Sequence, residues 1–174
     1  MAIANILRLL KEKGSHIRNP VDLVGVPSMV FRCTFSDTGA KADDISALEV
    51  NCPNDLCSFW KAAESAKLFE DQTYGQWGLH ILSPSDAAQE TQRLAKERPR
   101  DFARGDLVTG RFLGDSDLLI VRCNDNKSDF GRVLVAQPLD PRIDWYCAAE
   151  SFEQFLEKYL EAKGEKYWEK SLDD

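Results

Sequence analysis

The sequence predicts an α+β fold, a largely antiparallel sheet flanked by helices, on three observations. The order along the chain is helices, strands, a helix, strands, a helix, and most strands follow one another across short turns. Residues 53–65 carry Leu56, Phe59, Trp60 and Ala63 on one helical face. Strand-like residues that can cover that face follow at once. Near the end, Ser151 and Gln154 stand at capping-box spacing ahead of Phe152, Phe155, Leu156, Tyr159 and Leu160, which keep the helical period.

Taken in order, residues 2–13 predict a helix with Ile3, Ile6, Leu7 and Leu10 on one face and Gly14 just past its end. Residues 14–29, with Pro20 and Pro27, read as loop. Phe31, Cys33 and Phe35 alternate with Arg32 and Thr34, as a half-buried strand does. A turn over residues 37–41 leads to a short helix with Ile45 and Leu48 inward. Pro53 suits the first turn of the central helix. Residues 67–69 are a short apolar run. After a break at residues 73–75, Trp77, Leu79 and Ile81 alternate with Gly78 and His80 as one strand face.

Ser83, Pro84 and Asp86 make a helix start, with Ser83 as cap, Pro84 in the first turn and Asp86 at the positive end. Ala87, Ala88, Thr91, Leu94 and Ala95 give that helix a narrow face suited to close packing. Residues 97–105 read as an exposed charged linker. Strands are expected over residues 107–112, over 118–121, covered on both faces, and over 133–135. Trp145, Cys147 and Ala149 form one more alternating segment. These readings divide the chain into an extension (residues 1–29), a main domain (30–160) and a polar tail (161–174) that holds Tyr167, Trp168 and Leu172.

With 174 residues, the chain is long enough to bury a core without metal or disulfide staples. An apolar content of 43% with 29% charged residues is that of a soluble globular protein. No apolar run approaches the ~18 residues of a membrane span. The start lacks a basic segment ahead of its apolar part and runs into Lys11 and Lys13, unlike a secretory signal. Five cysteines, an odd number with no CxxC pair, point to reduced thiols, mostly small core residues, and to the cytoplasm. The net charge of −7 and the absence of a basic stripe argue against nucleic-acid binding and favour a basic partner.

Catalytic signals are thin. The two histidines are His16 and His80, and His80 reads as a surface or half-buried strand residue. A Cys57–His80 nucleophilic pair has no third group in the sequence to orient the histidine. The Ser-centred, phosphate-loop, zinc-protease and dinucleotide motifs are missing. The Asp115-Ser116-Asp117 and Asn124-Asp125-Asn126 runs lack the glycine and glutamate that complete a calcium loop. Asp43-Asp44 and Glu70-Asp71 are sequence neighbours, which point apart in regular structure. No catalytic residue, metal site or cofactor is therefore expected.

Several of these stretches together resemble the SUKH superfamily. Pro53-Asn54-Asp55-Leu56 followed by Phe59-Trp60 is similar to its Pro-x-Asp/Glu opening. Leu68-Phe69 and residues 78–82 look like its first two strands, and Phe112-Leu113-Gly114-Asp115 like its Ile-Gly-Asp turn. Residues 118–121 and Gly131-Arg132-Val133 look like the strands that follow, and residues 149–156 are close to its Ala-x-Ser-Phe-x-x-Phe-Leu ending. The likeness covers about residues 30–160. Cys52 stands where leucine often precedes the proline, and the helix over residues 2–13 has no counterpart.

The resemblance implies a binding domain with no catalytic set. Bacterial members are similar to immunity proteins that neutralise toxins, often nucleases, and a fungal branch to regulators of cell-wall assembly. The expectation is a cytoplasmic protein that binds a basic toxin through acidic turn residues Asp115, Asp117, Asp125 and Asp129, with Glu70 and Asp71. A regulatory interaction domain and a small thiol enzyme are the alternatives.

Overall fold

The computed structural model describes residues 2–18 and 28–172. The loop expected around Pro20 and Pro27 lies outside them. The fold is α+β, as expected. Eight strands form one sheet, each antiparallel to the next in chain order. They are β1 (His16–Arg18), β2 (Met29–Phe35), β3 (Ala66–Asp71), β4 (Leu79–Ile81), β5 (Asp106–Phe112), β6 (Leu118–Arg122), β7 (Val133–Ala136) and β8 (Tyr146–Ala149). Five helices flank the sheet: α1 (Ile3–Lys13), α2 (Ala42–Ser46), α3 (Asn54–Ala62), α4 (Pro84–Glu97) and α5 (Phe152–Glu161). Arg142–Asp144 and Tyr167–Leu172 are short 3-10 turns.

The pairings assign side chains to faces, because partners directly opposite share a face. Leu79 pairs with Phe112, Gly110 with Leu119, Leu119 with Val135, and Val121 with Val133. That face meets α5, where Phe112 lies 6.3 Å from Tyr159. Helices α1, α3 and α5 pack on one another, and Ile6, Leu10, Phe59, Phe152 and Phe155 join the same buried cluster. Phe59 meets Phe152 edge-on at 5.5 Å. Arg111, Leu118, Ile120 and Arg122 point to the opposite face, so β6 is buried along its length on both sides, as its apolar run predicts.

Both predicted helix starts form. The Asp86 N–H donates to Ser83 Oγ at 3.2 Å, and the Gln154 N–H donates to Ser151 Oγ at 3.1 Å. Gln154 Oε1 reaches back one residue further than a capping box requires, to the Glu150 N–H at 2.9 Å.

Several local expectations need correction. The loop-like stretch after α1 contains β1, whose His16 ring stacks on Phe31 at 4.9 Å. Trp77 does not extend β4, because Gly78 takes φ +124° and breaks the alternation. Gly78 has room only for hydrogen, since a Cβ there would lie 2.8 Å from Glu70 Cα. The inward face of α4 is Pro84, Ala87, Glu90 and Leu94, with Ala88 exposed. Cys147 is exposed because a register shift at Val133/Leu134 displaces the alternation in β8. Of the five cysteines only Cys123 is buried, and all five are free thiols. Trp168 is buried against Phe112 at 5.2 Å.

Candidate functional site

Charged residues of the presumed linker are drawn inward. Arg98, Asp101 and Phe102 are half-buried, contrary to the exposed segment expected over residues 97–105. Asp106 opens β5 opposite Arg122 of β6, and the pair is ion-bonded with the Asp106 side chain only 1% exposed. Arg142 donates to Asp106 Oδ2 at 2.5 Å and to the Asp101 carbonyl at 2.8 Å. Arg98 donates to Asp101 Oδ2 at 3.0 Å, to the Asp140 carbonyl at 2.5 Å and to the Gln137 carbonyl at 3.2 Å. The Trp145 indole N–H also donates to the Asp140 carbonyl, at 3.1 Å. Its ring lies under the Arg98 and Arg142 guanidinium groups, at 5.6 and 5.1 Å, and against Phe102 at 5.7 Å. Burial opposes the charge of Arg122, but Asp129 and Asp106 outweigh it and hold the guanidinium above its ordinary value.

This network holds down the segment between β7 and β8. The chain leaves β7 at Ala136, opposite Leu118, and reaches Asp106 through Arg142. Leu118 and Asp106 lie toward opposite ends of the β5–β6 ladder, so the segment crosses the sheet face. It displays two large aliphatic side chains to solvent, Leu139 at 96% exposure and Ile143 at 89%. A cleft of ≈ 590 Å³ elsewhere is lined by Met29, Phe31, Asp71 and Trp77. Beside the segment lies one of ≈ 560 Å³, lined by Asp140, Ile143, Asp144, Tyr146 and Cys147 among others. Arg142 is committed inward, so the outward charge of the segment comes from Asp140 and Asp144. A fixed loop carrying exposed aliphatic groups between carboxylates is suited to contact with an apolar and basic surface.

The six acidic residues expected to meet a partner are not gathered on one surface. Glu70 and Asp71 precede the β3–β4 turn, and Asp115 and Asp117 sit in the neighbouring β5–β6 turn. The Leu113 N–H donates to the Gly78 carbonyl at 2.8 Å, which joins these two turns. Asp125 and Asp129 lie beyond the opposite end of β6. Each has internal partners. Asp71 is buried and accepts from the Thr73 and Tyr74 N–H groups at 2.8 and 3.2 Å. Glu70 pairs with Lys67 at 2.5 Å. Lys166 reaches both Asp115 and, at 2.7 Å, Asp117, whose carboxyl burial nevertheless pushes up. Asp125 accepts from Asn51 at 2.7 Å, and Asp129 accepts from Arg122 at 2.9 Å.

Cys57 and His80 have different neighbours. Cys57 lies beside Cys52, whose carbonyl accepts from its thiol at 3.7 Å. His80 faces α4 across a cleft of ≈ 430 Å³ shared with Asp86, Glu90, Arg93 and Arg111. Arg93 and Arg111 both pair with the Glu90 carboxylate, at 2.7 and 2.5 Å.

The sequence reading passed over residues 137–144. A signal was present in Pro138-Leu139-Asp140-Pro141-Arg142-Ile143, where single aliphatic residues stand between prolines and charges. Its meaning depended on Arg98 and Asp106, which are distant in sequence. No family model matches the chain. The chain is similar to a Bacillus subtilis (strain 168) protein named uncharacterized protein YobM, at 26% identity over 148 residues, 81% of this chain and 76% of that protein.

Proposed function

We propose that this protein is a non-catalytic, cytoplasmic binding domain that neutralises a basic protein toxin, with residues 137–144 and the adjoining cleft as its contact surface. The observation that carries this reading is the pair Leu139 and Ile143, nearly fully exposed on a loop that buried ion pairs hold in place. Exposed aliphatic groups on a fixed loop lose little conformational freedom on binding, which favours affinity. Asp140 and Asp144, within a chain of net charge −7, favour a basic partner and faster association. The SUKH-like motifs agree with an immunity role, since bacterial members of that superfamily are similar to toxin-neutralising proteins. The acidic turn residues first expected to form the surface support it less well, because their carboxylates are engaged internally.

The test compares capture from the native host by the wild type and by a Leu139→Asp/Ile143→Asp variant, at low and moderate salt. The reading expects one basic protein, retained stoichiometrically by the wild type and lost from the variant. Co-expression of the wild type should relieve that protein's toxicity. Equal retention by both forms, or a partner without toxicity, would overturn it.

A further inference from the structure

Three basic side chains stand in one row on the α4 side of the sheet. Lys67 of β3 lies directly opposite His80 of β4, and His80 lies directly opposite Arg111 of β5. Residues so paired share a face, with Cβ atoms about 5 Å apart. The short imidazole is thus flanked on both sides by long, flexible cations. His80 and Arg111 open onto the cleft of ≈ 430 Å³, whose other wall is α4 with Asp86, Gln89 and Glu90.

Both ends of the row are fixed. The Glu90 side chain, 7% exposed, receives Arg93 at 2.7 Å and Arg111 at 2.5 Å. Glu70 pairs with Lys67 at 2.5 Å. An ammonium carries three N–H donors and a guanidinium five, so neither ion pair exhausts its cation. Arg93 is more fully engaged, because Glu97 also accepts from it, at 2.7 and 2.6 Å. Between the two ion pairs, the half-buried His80 ring has no hydrogen-bond partner among the described residues. Burial lowers the His80 pKa, Lys67 and Arg111 lower it further, and Asp86 and Glu70 oppose them. The Asp86 carboxylate is itself engaged, accepting from the Ser83 hydroxyl at 2.7 Å. Positive charge therefore prevails at the ring, within a chain of net charge −7.

We propose that Lys67, His80 and Arg111 bind the phosphate group of a phosphate monoester, with its organic part lying in the cleft against α4. A terminal phosphate offers three strong acceptor oxygens. Arg111 and Lys67 supply charge-assisted hydrogen bonds from either side, and His80 supplies one from below. Bound phosphate favours the imidazolium, so it raises the His80 pKa, and protonation of His80 in turn tightens binding. The contact surface over residues 137–144 plays no part in this site, and either reading can fail without the other.

A phosphate ester titrates near pH 6 itself. The linkage is therefore measured with sulfate, a tetrahedral dianion that keeps its charge over the range. The full chain, isotope-labelled at histidine, is titrated from pH 8 to pH 5 in sodium sulfate and in sodium chloride at equal ionic strength. The ring resonances are followed by NMR. The chain has two histidines, and His80→Gln assigns them. Sulfate should raise the His80 pKa by about 1 unit, as an opposite charge at close range does, and leave His16 of β1 unchanged. At pH 7 glycerol phosphate should shift the His80 resonance saturably, and acetate should not. Arg111→Gln should weaken glycerol phosphate binding about tenfold or more, the worth of a hydrogen bond between charged groups. Arg111 is 48% exposed and Glu90 keeps Arg93, so this variant retains the fold. Lys67→Gln, at a position 46% exposed, should act in the same direction. Tighter binding of glycerol phosphate than of a phosphoserine peptide would assign a small ester, and the reverse order a phosphorylated protein. An equal His80 pKa in the two salts, a sulfate shift retained in Arg111→Gln, or an equal response to acetate would overturn the proposal.

Discussion

Asp55 Oδ2 accepts a hydrogen bond from the Glu153 N–H at 2.8 Å, so a residue in the first turn of α3 caps α5 across 98 positions. Asp55 Oδ1 accepts from the Leu56 N–H at 2.9 Å, and one carboxylate thus serves two helix starts. The Phe59–Phe152 contact closes the same junction one turn further in. This gives a physical reason for the Pro-x-Asp opening and the Ala-x-Ser-Phe ending to occur in one chain. Asp55→Ala should cost about 1–2 kcal/mol, the usual value of a helix cap. Asp55→Asn should cost less, because the amide oxygen still accepts. Urea titration of the three proteins checks this, and equal midpoints would show the contact to be dispensable.

Charge reversal at the acidic turns should act on folding more than on binding. Asp117 is buried beside Lys166, and Asp71 holds two backbone N–H groups. Removing one partner of a buried pair leaves the other uncompensated and costs about 3–5 kcal/mol at full burial. Lys166 and Asp115 remain partly solvated, so Asp117→Lys should fall somewhat below that range. A lowered urea midpoint for Asp117→Lys, beside an unchanged one for Asp144→Lys, is the expected result.

Gly164 holds the tail against the sheet. It takes φ +82°, and a Cβ there would lie 2.5 Å from Phe69 Cβ. Its carbonyl accepts from the Trp77 indole N–H at 3.0 Å. Phe69 has little room to yield, being buried with φ +51° against Tyr159 at 5.4 Å. Gly164→Ala combines backbone strain with overpacking and should destabilise by about 1–3 kcal/mol. Faster amide exchange is expected over residues 164–169. Native-like exchange there would show that the tail adapts.

The sequence disclosed what rests on local pattern. The continuous run of β6, the alternation of β2 and the caps Ser83 and Ser151 were all legible, because each signal lies within a few residues. What stayed hidden depends on partners far along the chain. Arg98 reads as linker until Asp140 and Trp145 stand beside it, and the inward place of Glu90 on α4 depends on its pairing with Arg111 of β5. Strand β1 has only three residues and no period to detect. The acidic turn residues were legible as turns. That their carboxylates had internal partners was not, because partners such as Lys166 and Arg122 come from other segments.

Acid should weaken the fold in two steps through one cleft. Burial lowers the His80 pKa, with Lys67 and Arg111 lowering it further and Asp86 and Glu70 opposing. The folded protein thus declines a proton that the unfolded chain accepts. His80's contribution is full above its ordinary pKa of about 6.5 and is lost as pH falls through the lower folded value. Hydrogen bonding from Arg93, with the charge of Arg111, lowers Glu90 below its ordinary pKa of about 4.3. That contribution is full above the ordinary value and is lost on further acidification through the folded one. Urea midpoints measured from pH 8 to pH 3 should fall in both windows. His80→Gln should flatten the upper window and Glu90→Gln the lower one. A wild-type midpoint constant from pH 7.5 to 5 would exclude the histidine step.

Arg142 connects loop rigidity to the proposed contact. Its guanidinium meets both Asp106 oxygens, at 2.5 and 3.2 Å, and the Asp101 carbonyl, and its backbone N–H donates to Asp101 Oδ1 at 3.2 Å. Arg142→Ala removes the side-chain bonds while Arg122 still neutralises Asp106. The cost should be about 1.5–3 kcal/mol, the value of hydrogen bonds to a charged group, and not that of a bare buried charge. The fold should survive while residues 137–144 lose their anchor and become open to protease. If Leu139 and Ile143 act because they are held in place, Arg142→Ala should weaken partner binding though it removes neither. The loss should appear mainly in the dissociation rate, with association and its salt dependence kept by Asp140 and Asp144. Wild-type dissociation from a loop that protease shows to be loosened would mean that exposure alone suffices. Loss of binding with the loop still protected would instead make the Arg142 side chain itself part of the contact.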